Sequence, residues 1–257
     1  MFCVSVEELA FKYKGGFKLG KMSLRFCESE ITAVLGPNGA GKTTFLKCLA
    51  RILKPLEGVV YIGNKELWSL SLNEVAKSIG FSEVEVPQGF NVKVVDFIST
   101  SRYPHMRTFW ETENDVEQII ESIKRLKLES LSQRKLEELS SGEFQRVIIA
   151  KILAKNPKIL LLDEPTLHLD IKYQLEILKT ISEITKEKKL VTIITLHDLK
   201  LASLFADKVV LLKNGKVVAF GKPNEVLTPE NIERVYEVKV KVIRDKEAGM
   251  IITPLIK

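Results

Sequence analysis

Nine residues, Gly36-Pro37-Asn38-Gly39-Ala40-Gly41-Lys42-Thr43-Thr44, constrain this chain more than any other stretch. They fit a glycine, four residues of any type, then Gly-Lys-Ser/Thr, the pattern of a loop that wraps phosphate. Residues 31–35 form a short apolar, β-rich run and residues 44–50 carry apolar side chains at helical spacing, so the loop joins a buried strand to a helix start. Glycines at 36, 39 and 41 let backbone N–H groups converge on phosphate oxygens where a Cβ would crowd them. The helix N-terminus adds unpaired donors and partial positive charge. Lys42 can reach the outer phosphates, and the Thr43 hydroxyl can complete a magnesium shell. A glycine-rich turn with a solvated lysine is the plainer alternative.

Two later strands end in polar residues. The continuous apolar run at 159–162 suits a central parallel strand and is followed by Asp163 and Glu164. In open α/β sheets ligands gather at such carboxyl ends, which places Asp163 as a magnesium partner and Glu164 toward an attacking water. Residues 190–196 repeat the arrangement and end in His197-Asp198, where an imidazole can hydrogen-bond a γ-phosphate oxygen or serve only as structure. Ser140 followed by Glu143 is a capping box that opens a helix, and a capped helix start is also an anion site. Tyr13, just before the turn at 14–16, can stack on a base or pack as a half-buried strand tyrosine.

The remaining chain reads as strands at 4–9 and 17–26, a strand at 59–62, a largely helical stretch from 72 to 153, and a helix at 173–185. Asn214-Gly215 marks a hairpin between 208–212 and 216–220, 229–236 is helical, and 238–242 pairs with 250–253. Breaks at Pro87-Gln88-Gly89 and at Arg102-Tyr103-Pro104-His105 are either plain loops or partner contacts. The net charge of +6 comes from lysines interspersed with glutamates, so it reads as a solvated surface and no nucleic acid is expected. Without a basic, apolar leader or a bilayer-length apolar run, the expectation is a cytoplasmic chain. Cys3, Cys27 and Cys48 show no metal or redox spacing and read as reduced packing residues.

In this order the motifs resemble those of the ATP-binding subunits of ABC transporters, over nearly the whole chain. Residues 36–44 resemble the Walker A loop, 139–143 the signature, 159–164 the Walker B strand, 167–170 the D-loop, His197 the switch histidine and Tyr13 the adenine-stacking aromatic. The resemblance implies an α/β fold: a P-loop NTPase core with a mostly parallel sheet, an N-terminal antiparallel β subdomain and a helical insert. It makes 1–257 one ABC ATPase domain, with 1–80 and 156–257 as the core and 81–155 as the helical subdomain. It implies ATP and Mg2+ as ligands: Tyr13, Gly36, Asn38, Gly39, Ala40, Gly41, Lys42, Thr43, Thr44, Ser140 and Gly142 on the nucleotide, Thr43 and Asp163 on the metal. Glu164, His197 and Lys42 would be catalytic.

Arg102-Tyr103-Pro104-His105, His168 to Ile171 and the tail through Thr228-Pro229-Glu230-Asn231 to Tyr236 are similar to importer ATPases for iron-siderophore, haem or cobalamin complexes. Implied partners are a second copy packed head to tail, membrane permease subunits and, indirectly, a substrate-binding protein; the site of action is the inner face of the membrane. Another transported substrate, an iron-sulfur assembly ATPase and a non-hydrolysing scaffold are the rival readings. Two positions depart from the family: Ser141 and Glu143 stand where its signature has Gly and Gln, and its magnesium-touching glutamine aligns either with Gln88 or, without gaps, with Val84.

Overall fold

The computed structural model describes residues 1–82, 91–105, 112–245 and 249–255. In chain order the strands are β1 (Cys3–Lys12), β2 (Lys18–Cys27) and β3 (Glu30–Leu35), followed by helix α1 (Lys42–Leu49), β4 (Glu57–Ile62) and β5 (Lys65–Glu66). Then come α2 (Leu72–Ser78), β6 (Ile79–Phe81), α3 (Val94–Ser99), α4 (Glu113–Arg125), α5 (Ser141–Ala154) and β7 (Ile159–Leu162). The chain continues through α6 (Ile171–Glu187), β8 (Val191–Thr195), α7 (Leu199–Phe205), β9 (Lys208–Lys213) and β10 (Lys216–Gly221). It closes with α8 (Pro223–Val226), α9 (Pro229–Tyr236), β11 (Val240–Asp245) and β12 (Gly249–Pro254).

The central sheet runs β10-β9-β3-β8-β7-β6 and is parallel except for β10, the return arm of the Asn214-Gly215 hairpin. Its strands are apolar on both faces because both are covered. Ile31, Ala33 and Leu35 of β3, Leu160 and Leu162 of β7 and Val209 and Leu211 of β9 face one core with α3 to α6. Val34, Ile159, Leu161, Val210 and Leu212 face the other, against α1 and a four-stranded antiparallel sheet ordered β2-β1-β4-β5. A side-chain period of two thus feeds two cores from one strand set.

Residues 72–153 are not all helical, since β6 is a parallel edge strand paired with β7. Three residues are too short to display a period, and Gly80 is small for a packing reason: a Cβ there would lie 2.3 Å from Cγ2 of Ile152 on α5. The two N-terminal strands reach further than the apolar spacing suggested, to residues 3–12 and 18–27. Their register sets Cys3 opposite Cys27, and these two form a disulfide, correcting the expectation of three reduced thiols. Cys48 alone is free, and burial pushes its thiol up to about 12.

Arg102 is also not a surface contact. It is 2% exposed; its Nε and Nη2 bond Asp115 Oδ1 at 2.8 and 2.7 Å, and Nη1 donates to the carbonyls of Ala154 and Lys155. Asp115 in turn closes the capping box of α4 with Thr112. One guanidinium therefore ties the start of α4 to the end of α5, while Tyr103 beside it remains 66% exposed.

Candidate functional site

The loop between β3 and α1 is shaped by its glycines. Gly36 has φ 153° and a Cβ would sit 2.3 Å from the Leu212 carbonyl oxygen; Gly41 has φ 103° and a Cβ would strike Leu19 and Phe17. Neither position admits a side chain. The Asn214-Gly215 turn braces the loop from below, since the Gly215 N–H donates to the Ala40 carbonyl at 3.0 Å. α1 starts at Lys42 with no side-chain cap, so its first N–H groups stay open to a ligand. A cavity of about 430 Å³ lies over them, lined by Tyr13, Phe17, Asn38, Gly39, Ala40, Gly41, Lys42, Thr43, Thr44 and Glu164.

Lys42 is 5% exposed, and its Nζ donates to the carbonyls of Gly36 at 2.8 Å and Pro37 at 3.3 Å. Burial lowers its pKa, and the charges of Glu164 and Asp163 pull it back toward the protonated form. The ammonium is thus stored against its own loop with acceptors that a phosphate can replace.

The carboxylates approach from β7. Glu164 has φ 48°, a left-handed conformation uncommon outside glycine, and turns its Oε1 to His197 Nε2 at 2.5 Å. The backbone N–H of Asp163 donates to Ser82 Oγ at 2.7 Å, and Thr195 Oγ1 donates to Asp163 Oδ1 at 2.6 Å. Oxygen donors suit magnesium: the hydroxyl of Thr43 and one carboxylate beside a phosphate cradle are the sparse set that ion takes. Among the described residues no cluster of three His, Cys, Asp or Glu forms a cage that would bind a metal alone.

Nine of the sequence-predicted residues therefore line the cavity: Tyr13, Asn38, Gly39, Ala40, Gly41, Lys42, Thr43, Thr44 and Glu164. Gly36 forms the base of the loop, and His197 joins through Glu164. Tyr13 is 41% exposed, edge-on to Phe11. Phe17 also lines the cavity. It was missed as a strand residue, and the turn at 14–16, which folds it back toward Tyr13, was the available signal.

Ser140 and Gly142 do not line the cavity. Ser140 caps α5: its Oγ accepts from the Glu143 N–H, and its own N–H and hydroxyl donate to Glu143 Oε2 at 2.9 and 2.8 Å. These bonds hold the Glu143 carboxyl below its ordinary range. Ser141 is the first residue of the helix and has no positive φ among the residues that do, so no glycine is required there. Gly142 is buried against Leu169 and Tyr173. Gln88 and Val84 both lie outside the described residues. No helix among the described residues is long and apolar enough to cross a membrane.

Comparison with known proteins identifies the family. The family described as ABC transporter matches residues 19–167. The ferric enterobactin transport ATP-binding protein of Escherichia coli K12 is 34% identical over 97% of this chain and 92% of its own length. A structure described as a metal-chelate type ABC transporter in an inward-facing conformation superposes with TM-score 0.85 at 28% identity, over 100% of this chain and 99% of that one. A dimeric ATP-binding cassette in a post-hydrolysis state bound to ADP and Pi is 30% identical with TM-score 0.74, over 86% of this chain and 98% of that one. The chain belongs to the ABC transporter family, as an ATP-binding subunit.

Proposed function

We propose that this chain hydrolyses ATP to drive import of a metal-chelate substrate of the iron-siderophore, haem or cobalamin class, acting at the inner face of the membrane. The observation that carries the reading is the Glu164–His197 pair at the rim of the phosphate-loop cavity. The transport class follows from the ferric enterobactin relative and the metal-chelate transporter fold.

In this reading the loop amides and Lys42 hold the β- and γ-phosphates, and Tyr13 with Phe17 takes the base. Thr43 and Asp163 would hold magnesium, which would supply charge neutralisation at the phosphates. Glu164 accepts a proton from water as the water oxygen bonds the γ-phosphorus and the bond to the ADP oxygen breaks. His197, fixed by Glu164, donates to the phosphoryl oxygen that gains charge.

Ser140 and Gly142, on the helical subdomain at 81–155, act on the ATP of a second copy packed head to tail; that a similar ATP-binding cassette is dimeric with ADP and Pi bound supports the pairing. Closing and reopening of that pair is what a docked permease transmits, with a substrate-binding protein delivering the chelate outside. The test is phosphate release by the purified chain beside Glu164→Gln: turnover in the first and its loss in the second, with ATP binding kept in both. Equal turnover in the two proteins would remove Glu164 from the chemistry.

A further inference from the structure

Strand β8 carries two threonines in an otherwise apolar run, and both are fully buried. A buried hydroxyl needs partners, so each of them marks a polar contact that the core had to accommodate. Thr192 shares its contact with the Thr185 hydroxyl of α6 at 2.7 Å, a bond between two structural elements. Thr195, one residue past the β7–β8 ladder, makes a different one. Its Oγ1 donates to Asp163 Oδ1 at 2.6 Å and accepts the backbone N–H of Glu164 at 2.8 Å. The single hydroxyl thus spends its proton on one carboxylate and its lone pair on the residue that bears the other. On the opposite flank Ser82, at the end of β6, accepts the Asp163 N–H.

We propose that Thr195 is a positioning residue: its hydroxyl locks the Asp163 carboxylate and the left-handed Glu164 backbone into one unit, so that the metal-facing and water-facing carboxylates keep a fixed separation. The inference rests on the roles given above to Asp163 and Glu164. A left-handed non-glycine residue persists only where its surroundings hold it, and the bond to the Glu164 N–H is such a hold. Donation to Oδ1 also leaves the second carboxylate oxygen of Asp163 available as a metal ligand. A valine at 195 keeps the shape and removes both bonds, leaving a part-buried N–H and a carboxylate oxygen without their partner.

The test compares Thr195→Val with Thr192→Val, the same chemical change at equal burial on the same strand, and with Thr195→Ser. Loss of two part-buried polar contacts predicts a kcat about thirtyfold lower for Thr195→Val with KM for ATP within about threefold, and Thr195→Ser within about threefold of wild type. Thr192→Val lowers the melting temperature and leaves kcat unchanged. A second readout needs no turnover: binding of a fluorescent ATP analogue with and without Mg2+. Thr195→Val is expected to lose about fivefold of the affinity gained on adding the ion and to keep the ion-free affinity.

Should Thr195→Val not fold, Thr195→Cys, which keeps the volume and offers only a weak donor, is read in the same way. The proposal is overturned if Thr195→Val keeps wild-type kcat and magnesium response, or if Thr192→Val loses as much of both. If instead Glu164→Gln retains turnover, the role of Glu164 fails, while the magnesium response of Thr195→Val still decides whether the hydroxyl orients Asp163.

Discussion

The phosphate-loop end and the start of α5 are both helix N-termini, and they are finished differently. α1 begins at Lys42 uncapped, with its first N–H groups pointing into a cavity. α5 begins with a complete capping box at Ser140, exposed and away from that cavity. The first has a ligand site prepared around it by the turn between β1 and β2, the loop after β3 and the end of β7. The second has its own N–H partly satisfied, and its Ser140 and Gly142 do not line that cavity. One chain therefore builds a cradle for the phosphates and presents, elsewhere, the helix start that is proposed above to meet the phosphate of a second copy. That asymmetry is the physical case for two copies sharing ATP.

The sharpest break in the comparison is at the cradle. Glu164→Gln is expected to lower phosphate release by about 10²–10⁴-fold with nucleotide affinity retained, as for loss of a general base. A phosphate-release assay with parallel equilibrium binding checks it.

Next in size is the brace of the α5 side. Arg102→Ala leaves Asp115 buried without its partner and should cost about 3–5 kcal/mol, read by urea unfolding. Asp115 has its own acid dependence. Burial alone would raise its pKa, but the hydrogen bonds from Thr112 and Arg102 outweigh burial and hold it at about 2. Because the folded value lies below the unfolded one near 3.8, the stabilisation is complete above about pH 4 and fades as the pH falls toward 2. Wild type and Asp115→Asn should therefore converge in stability over that window.

Smaller effects sharpen the same contrast. Tyr13→Ala removes base stacking worth about 1–3 kcal/mol and should weaken ATP binding by roughly tenfold in titrations, with little change in melting temperature. Ser140→Ala should do the reverse: about 1 kcal/mol of stability lost with the cap, and no change in ATP affinity of the isolated chain.

The cradle was legible because its determinants are contiguous: glycines, lysine and threonine occur within nine residues, and a strand and a helix flank them. The ends of β7 and β8 were legible because apolar runs stop at Asp163-Glu164 and His197. What escaped depends on residues far apart in the chain. Ser82 and Thr195 meet Asp163 across 81 and 32 positions, which no local pattern records. β6 was too short to show a period, and Arg102 looked like a loop residue because its partners lie on α4 and at the end of α5. The Cys3–Cys27 pairing had a usable signal: a hairpin folded about Gly15 sets residues equidistant from it opposite one another.

Ser140 is proposed to complete the nucleotide site of a second copy. Light scattering of Glu164→Gln with ATP, alone and combined with Ser140→Arg, tests it most directly. Expected are an ATP-dependent species at twice the 29.1 kDa chain mass for Glu164→Gln and a monomer that still binds ATP for the double variant. Equal dimerisation of the two proteins would contradict it.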